Sequence, residues 1–407
     1  MKRLAWGAGL VLAGVVLLIA AALWLTTTAT GFLWLAKQAT PLTSGRLMLE
    51  GVEGHLGASV RIHTLTFKTD TQRIVLHQVR LDWQPRSLWH RLVEIDLIAA
   101  RHVQIERLKP DPAPPVYPAT LRLPLDIRVA AWDVAQLDVI DSGQTLNFNN
   151  LHGKIDGRGS RFDLIVAGGT PWAAINGRFG IAKDAPFQLK GTLNATRTTP
   201  VPVQGRLDLG GELAAIDFRL DARAEGMRAM ATGKLAPYEP VRLPRLLLSG
   251  QGIDPSRFAE GAPHADLAFS GVFEGRQGER LLGTFSLINR LAGRLDQDRL
   301  PLAGLSGAVV GDSVRADFSA LEIDLGAAGR FAGDGLWREG QLTVSLASPR
   351  LNLAGVHRDL HPTRLKTALR VTGNARQQTL TADVAESWGQ GSSVSYTHLT
   401  LPTNREV

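Results

Sequence analysis

Cysteine is absent from all 407 residues, so no disulfide can hold this chain together, and thiolate chemistry and zinc–cysteine sites are excluded. Blocks of like charge are absent too. The 45 Lys and Arg are dispersed among 38 Asp and Glu, giving a net charge of +7 that suits an anionic lipid surface and argues against nucleic acid. Catalytic signatures are missing as well: there is no Gly-x-Ser-x-Gly elbow and no P-loop. His357 and His361 stand four apart, but Arg358, Asp359 and Leu360 between them do not make the zinc-protease motif, so a surface pair is the reading. Gly157 and Gly159 in GRGSRF lack the sixth-position glycine of a nucleotide turn and read as turn glycines. Asp133, Asp138 and Asp141 near Trp132 read as solvated charges on a strand edge. The chain is expected not to be an enzyme and to need no metal or cofactor.

Charge is also absent from Leu4 to Ala36, directly after Lys2 and Arg3. The apolar part, residues 4–25, reaches the ~20 residues needed to cross a bilayer. The two leading cations are expected to keep residues 1–3 in the cytoplasm and to place everything after Thr26 on the far side of the membrane. Trp6 and Trp24 mark the two interfaces. A cleaved signal is the competing reading; its apolar core is ~7–15 residues, shorter than this one, and Leu23, Trp24 and Leu25 occupy the expected polar flank. Residues 26–44 form a juxtamembrane segment, in which Phe32, Leu33, Trp34 and Leu35 either dip toward lipid as a short interfacial helix or continue the anchor.

The remainder has 44% hydrophobic content, which excludes disorder, yet it has almost no helical period. Pro85 to Val93, with Leu88, Trp89 and Leu92 on one side, is the best helical candidate. Elsewhere the period is two. Leu121, Leu123, Leu125, Ile127 and Val129 alternate with polar residues, as do Val79, Leu81 and Trp83; Ile216, Phe218 and Leu220; Leu267, Phe269 and Phe273; Leu281, Phe285 and Leu287; Leu342, Val344 and Leu346; and Leu365, Leu369 and Val371. A phrase of Gly-polar-apolar recurs at Gly177, Gly191, Gly205 and Gly233, then at Gly271, Gly283, Gly293 and Gly307, and reads as turn glycines punctuating a meander. The expected fold is mainly β: a transmembrane helix, then an elongated, curled antiparallel β-sheet whose apolar face forms a groove. The Pro-rich stretch 110–118 is expected to part a β unit at 45–109 from the main array at 119–391. Residues 392–407 resemble translated adapter read-through; they are expected to add no strand and to leave an open edge near Leu380 to Val384.

A resemblance adds to this reading. The anchor, GFLWLAKQA at 31–39, Gly51-Val52-Glu53-Gly54, and Leu81-Asp82-Trp83-Gln84-Pro85 with the leucine-rich turn that follows resemble the N-terminal part of the TamB family, within the wider AsmA-like group of bridge-like lipid-transfer proteins. The resemblance is specific to about residue 110 and general in style beyond. It implies phospholipid transport toward the outer membrane, and help in assembling outer-membrane barrel proteins and autotransporters with the barrel subunit TamA, whose contact domain is expected to lie outside the sequence given. The alternative is a scaffold that presents strand edges to barrel proteins without carrying lipid. The groove would be lined by Leu121, Leu123, Leu125, Ile127, Val129, Phe218, Leu220, Leu267, Phe269, Leu342, Val344 and Leu346. Lys2, Arg3, Trp6, Trp24 and Trp34 would face the membrane interface.

Overall fold

A computed structural model describes residues 43–402 except 56, 58, 110–114, 142, 200, 259–260, 313, 375–376 and 387–393, together with Trp34 and Pro41. The anchor, with Lys2, Arg3, Trp6 and Trp24, lies outside the described residues, among which no helix is long and apolar enough to cross a membrane. Trp34 is exposed.

Alternating, β-branched-rich segments with no covering helix fold as strands, and the contacts divide them into two units, 1–196 and 197–407. The first holds β1 (Leu47–Gly54), β2 (Ser59–Lys68), β3 (Gln72–Gln84), β4 (Leu92–Arg107), β5 (Asp126–Asp141), β6 (Gln144–Asp156), β7 (Arg161–Gly169), β8 (Ala174–Ala182) and β9 (Gln188–Arg197). The second holds β10 (Val203–Glu212), β11 (Ala215–Ala224), β12 (Met227–Leu235), β13 (Arg245–Ile253), β14 (Leu267–Arg276), β15 (Arg280–Asn289), β16 (Gly304–Gly311), β17 (Arg315–Asp324), β18 (Arg330–Arg338), β19 (Gln341–Leu351), β20 (Leu365–Gly373), β21 (Gln377–Glu386) and β22 (Val394–Pro402). Within each unit, strands adjacent in sequence pair with one another, as a meander must.

Four expectations need correction. The sheet is antiparallel except at β4 and β5, which run parallel from Leu92 opposite Asp126 to Glu106 opposite Ile140. A parallel pair requires a crossover rather than a hairpin, and residues 108–125, carrying the prolines, return the chain to the starting end. Alternation at 121–129 begins too early: β5 starts at Asp126, because Pro124 cannot donate to a ladder, and Leu121, Leu123 and Leu125 lie before it. Pro85 to Val93 shrinks to a 3₁₀ turn at Pro85–His90. Finally, the tail does add a strand: β22 pairs with β21 from Gln377 opposite Pro402 to Ala385 opposite Val394, so Leu380 to Val384 is not an edge.

The glycine phrase is also corrected. Gly177, Gly191, Gly205 and Gly233 sit inside β8, β9, β10 and β12, and Gly271, Gly283 and Gly307 inside β14, β15 and β16; none has a positive φ. The turns use a different set, such as Gly143 (φ +81°) and Gly278 (φ +76°), where an added Cβ would meet nothing. The strand glycines instead lie under rings: a Cβ at Gly191 would come within 2.3 Å of Phe179, and one at Gly250 within 2.2 Å of Phe269. Glycine in a strand marks such close approach.

Candidate apolar groove

Residues directly opposite in register share a face, so each cross-strand row is a ladder of one chemistry. In the first unit one row reads Leu47, Phe67, Ile74, Ile105, Val139, Leu146, and the next reads Leu49, Leu65, Leu76, Val103, Leu137, Phe148. A third, beyond a line of register shifts that bends the strands, reads Trp83, Ile95, Val129, Ile155, Leu164, Phe179, Gly191. Its later members open into a cleft of about 270 Å³ lined by Ile155, Phe162, Leu164, Phe179, Ile181 and Leu189, whose accessible wall is apolar. One end of this cleft is fixed by charge. Lys183 is buried with its ammonium 4.9 Å from the centre of the Phe162 ring, and it donates to Asp126 Oδ1 at 2.9 Å and to the Gly157 carbonyl. The hydrogen bond from Lys183 holds the Asp126 carboxyl below the usual carboxylate range. Fully buried Phe187, with the Tyr117 ring 5.3 Å away, closes the packing there.

The second unit builds its row differently: Leu209, Phe218, Gly233, Leu246, Phe273, Gly283, Val309, Phe318, Gly335, Val344, Val371. Rings alternate with glycines, and the glycines give the rings room: a Cβ at Gly233 or Gly283 would lie 2.6 or 2.4 Å from Phe218 or Phe273. Two positions along, Leu207, Leu220, Ala231, Leu248, Gly271, Phe285 form the next row, and Gly250, Phe269, Leu287, Leu305, Ile323, Phe331 another. Through these rows the second unit brings Phe218, Leu220, Phe269 and Val344 to one face, with Leu267 two residues from Phe269, and Leu342 and Leu346 flanking Val344. In the first unit Ile127 and Val129 lie opposite Val93 and Ile95, while Leu121, Leu123 and Leu125 belong to the crossover.

Few of these side chains are buried. Among the described residues thirteen hydrophobic side chains are buried, and the long row of the second unit contributes none of them; Leu220 and Leu342 remain 41% and 38% exposed. The opposite face carries ion pairs at β10 and β11 and, further along, exposed Val272, Leu282 and Ile288. Arg206 and Asp208 face Asp221 and Arg219 across β10 and β11, and each arginine also contacts the aspartate two residues on in its own strand, at 2.9 and 2.8 Å. Hydrogen bonding by these arginines sets the sense of the shift, Arg219 upward and Asp221 downward. A sheet with an exposed apolar face can hold an extended apolar ligand.

Sequence alone did not assemble two polar clusters and a pair of enclosed indole N–H groups. His264 Nδ1 lies 2.9 Å from Ser256 Oγ and 3.1 Å from Asp254 Oδ2, its Nε2 lies 3.6 Å from Asp298 Oδ2, and the cluster ties the loop between β13 and β14. Burial raises the Asp254 carboxyl, but hydrogen bonds from His264, Ser256 and the Ala265 amide outweigh it and bring it to about 2. His77 and His102 stack at 5.8 Å, with His102 Nε2 2.8 Å from Asp138 Oδ2; Asp138 therefore lies in a central strand, not at an edge. Trp83 and Trp132 keep their indole N–H groups out of solvent with no acceptor. His357 sits in a loop 3.7 Å from Asp359, and among the described residues no group of side chains has the makings of a metal site.

Residues 17–168 match the family described as TamB, N-terminal domain. No curated protein and no solved structure matches the chain.

Proposed function

We propose that this chain, which carries a TamB N-terminal domain at residues 17–168, is an inner-membrane-anchored periplasmic protein of the translocation and assembly module, and that its apolar sheet face carries phospholipid acyl chains toward the outer membrane. On this reading it supports assembly of outer-membrane barrel proteins together with TamA. The observation that supports it is the run of half-exposed apolar ladders with no protein layer over them among the described residues. Each acyl methylene sheltered from water gains about 0.8 kcal/mol, so a chain of ~16 carbons gains on the order of 10 kcal/mol from lying along such rows. Passage needs no catalytic residue.

The test is mass spectrometry of lipid retained by the full chain after mild detergent extraction. Wild type is expected to retain phospholipid. Phe179→Asp or Phe269→Asp is expected to lose it, since an unpaired carboxylate among acyl chains costs several kcal/mol. Arg219→Gln, on the opposite face, is expected to keep it. A lipid-free wild type favours the scaffold alternative, for which β1 and β22 are available edges: among the described residues each pairs with one neighbour alone.

A further inference from the structure

The β3–β4 connection carries chemistry that the groove does not use. Its 3₁₀ turn, Pro85–His90, is tightly built: Pro85 occupies a first-turn position, Arg91 closes it in the left-handed region (φ 59°) with its N–H donating to Leu88 O at 2.9 Å, and Ser87 Oγ donates to Glu94 Oε2 at 2.9 Å. On this rigid base Trp89 is 90% exposed and Leu88 40% exposed. Pro85 to Arg91 contains no acidic residue, and Arg86, His90 and Arg91 form no ion pair among the described residues. Beside the turn, the Asp126 amide donates to Arg91 O at 2.9 Å, and Leu123, three residues before it, is 52% exposed.

A preformed turn that presents an indole and a leucine among unpaired cations matches an anionic bilayer interface: the indole settles at headgroup depth, and each arginine near the surface adds about 1 kcal/mol. The bilayer is within reach. An uncharged apolar run at 4–36 precedes β1, and the 21 residues from 26 to 46, which enter beside Lys68 at the end of β3 away from the turn, span at most ~70 Å when extended, more than the ~43 Å length of β3. We propose that the Arg86–Arg91 turn is a second membrane contact, with Trp89 and Leu88 seated in the interface of an anionic bilayer and Arg86 and Arg91 on its phosphates. This rests on the membrane-anchored reading above, and a residue in the apolar run tests that reading separately.

Because the chain has no cysteine, single labels are clean. The full chain, reconstituted in vesicles of phosphatidylethanolamine and phosphatidylglycerol with brominated acyl chains, is labelled with an environment-sensitive fluorophore through Trp24→Cys, Trp89→Cys or Asp70→Cys. Asp70 is an exposed residue in the turn at the opposite end of β3. The expected result is quenching at positions 24 and 89 and none at 70. Arg86→Gln or Arg91→Gln should each weaken the quenching at 89 by about five-fold in apparent partition at low salt. Quenching at 24 with none at 89 overturns the proposal and leaves the anchor standing; no quenching at 24 overturns the anchor reading itself. Shielding of position 89 from an aqueous quencher, without quenching by the brominated chains, also overturns it, because a protein contact produces that pattern.

Discussion

The two units reach the same one-sided chemistry by different means. Strands β3 to β6 of the first run to 13–16 residues and make their ladders from Leu, Ile, Val and Phe, with no glycine in the first two rows. Strands of the second run to 8–11 residues and interleave rings with glycines, at Gly233, Gly283 and Gly335 of one row. Aliphatic ladders fill the surface with side chains of even height, whereas ring-over-glycine rows lay large side chains flat and trade backbone freedom for close approach. An open apolar face is therefore a property of register and face, reachable with more than one alphabet.

Substitutions that exchange the two alphabets should break this contrast. The largest effect is expected at Gly233→Ala, where the new Cβ would meet the Arg245 carbonyl at 2.5 Å and the Phe218 ring at 2.6 Å; the second unit should lose about 2–3 kcal/mol in denaturant unfolding. At Gly250→Ala the three nearest atoms all belong to the Phe269 ring, so its cost of about 1–3 kcal/mol should fall in the double variant with Phe269→Leu, a coupling that a double-mutant cycle measures. In the first unit, Val103→Ala removes a buried member of an aliphatic row and should cost about 1–2 kcal/mol, with no rescue by a neighbouring change.

Acid should act on both units, since Asp156 in the first and Asp254 in the second both have carboxyls lowered to about 2. Asp254, in the second, has its carboxyl lowered to about 2 from 3.8; a depressed carboxyl stabilises the fold above its unfolded value, and that stability is lost as pH falls toward 2. Hydrogen exchange over residues 254–266 should accelerate between pH 4 and pH 2, in step with protonation. The smallest effect is expected at Gly278→Ala: its φ of +76° strains an alanine, but nothing stands in the way of the Cβ, and about 1 kcal/mol should be lost.

Period two made the strands legible, because a half-exposed sheet writes its face into every second residue. The same signal misled at Leu121 to Leu125, where alternation continues through Pro124 although no ladder can. Glycine was misread because turn and strand glycines look alike one at a time. In GRFGI the alternation continues past Gly177 through Phe179 and Ile181, and that continuation is the sign of a strand glycine. The parallel β4–β5 pair had a cue in the 18 residues from 108 to 125, too many for a hairpin. Register shifts, the Lys183–Asp126 contact 57 residues apart, and the outward aim of Trp89 depend on tertiary geometry and left no local trace.

The claim that the apolar face carries lipid is tested most directly by photo-crosslinking in living cells, with the reactive residue placed at Phe218, Phe269 and Val344 and, one position along, at Arg219, Ser270 and Ser345. The account predicts phospholipid adducts at the first three and none at the second three. Equal labelling of both faces, or of neither, would contradict it.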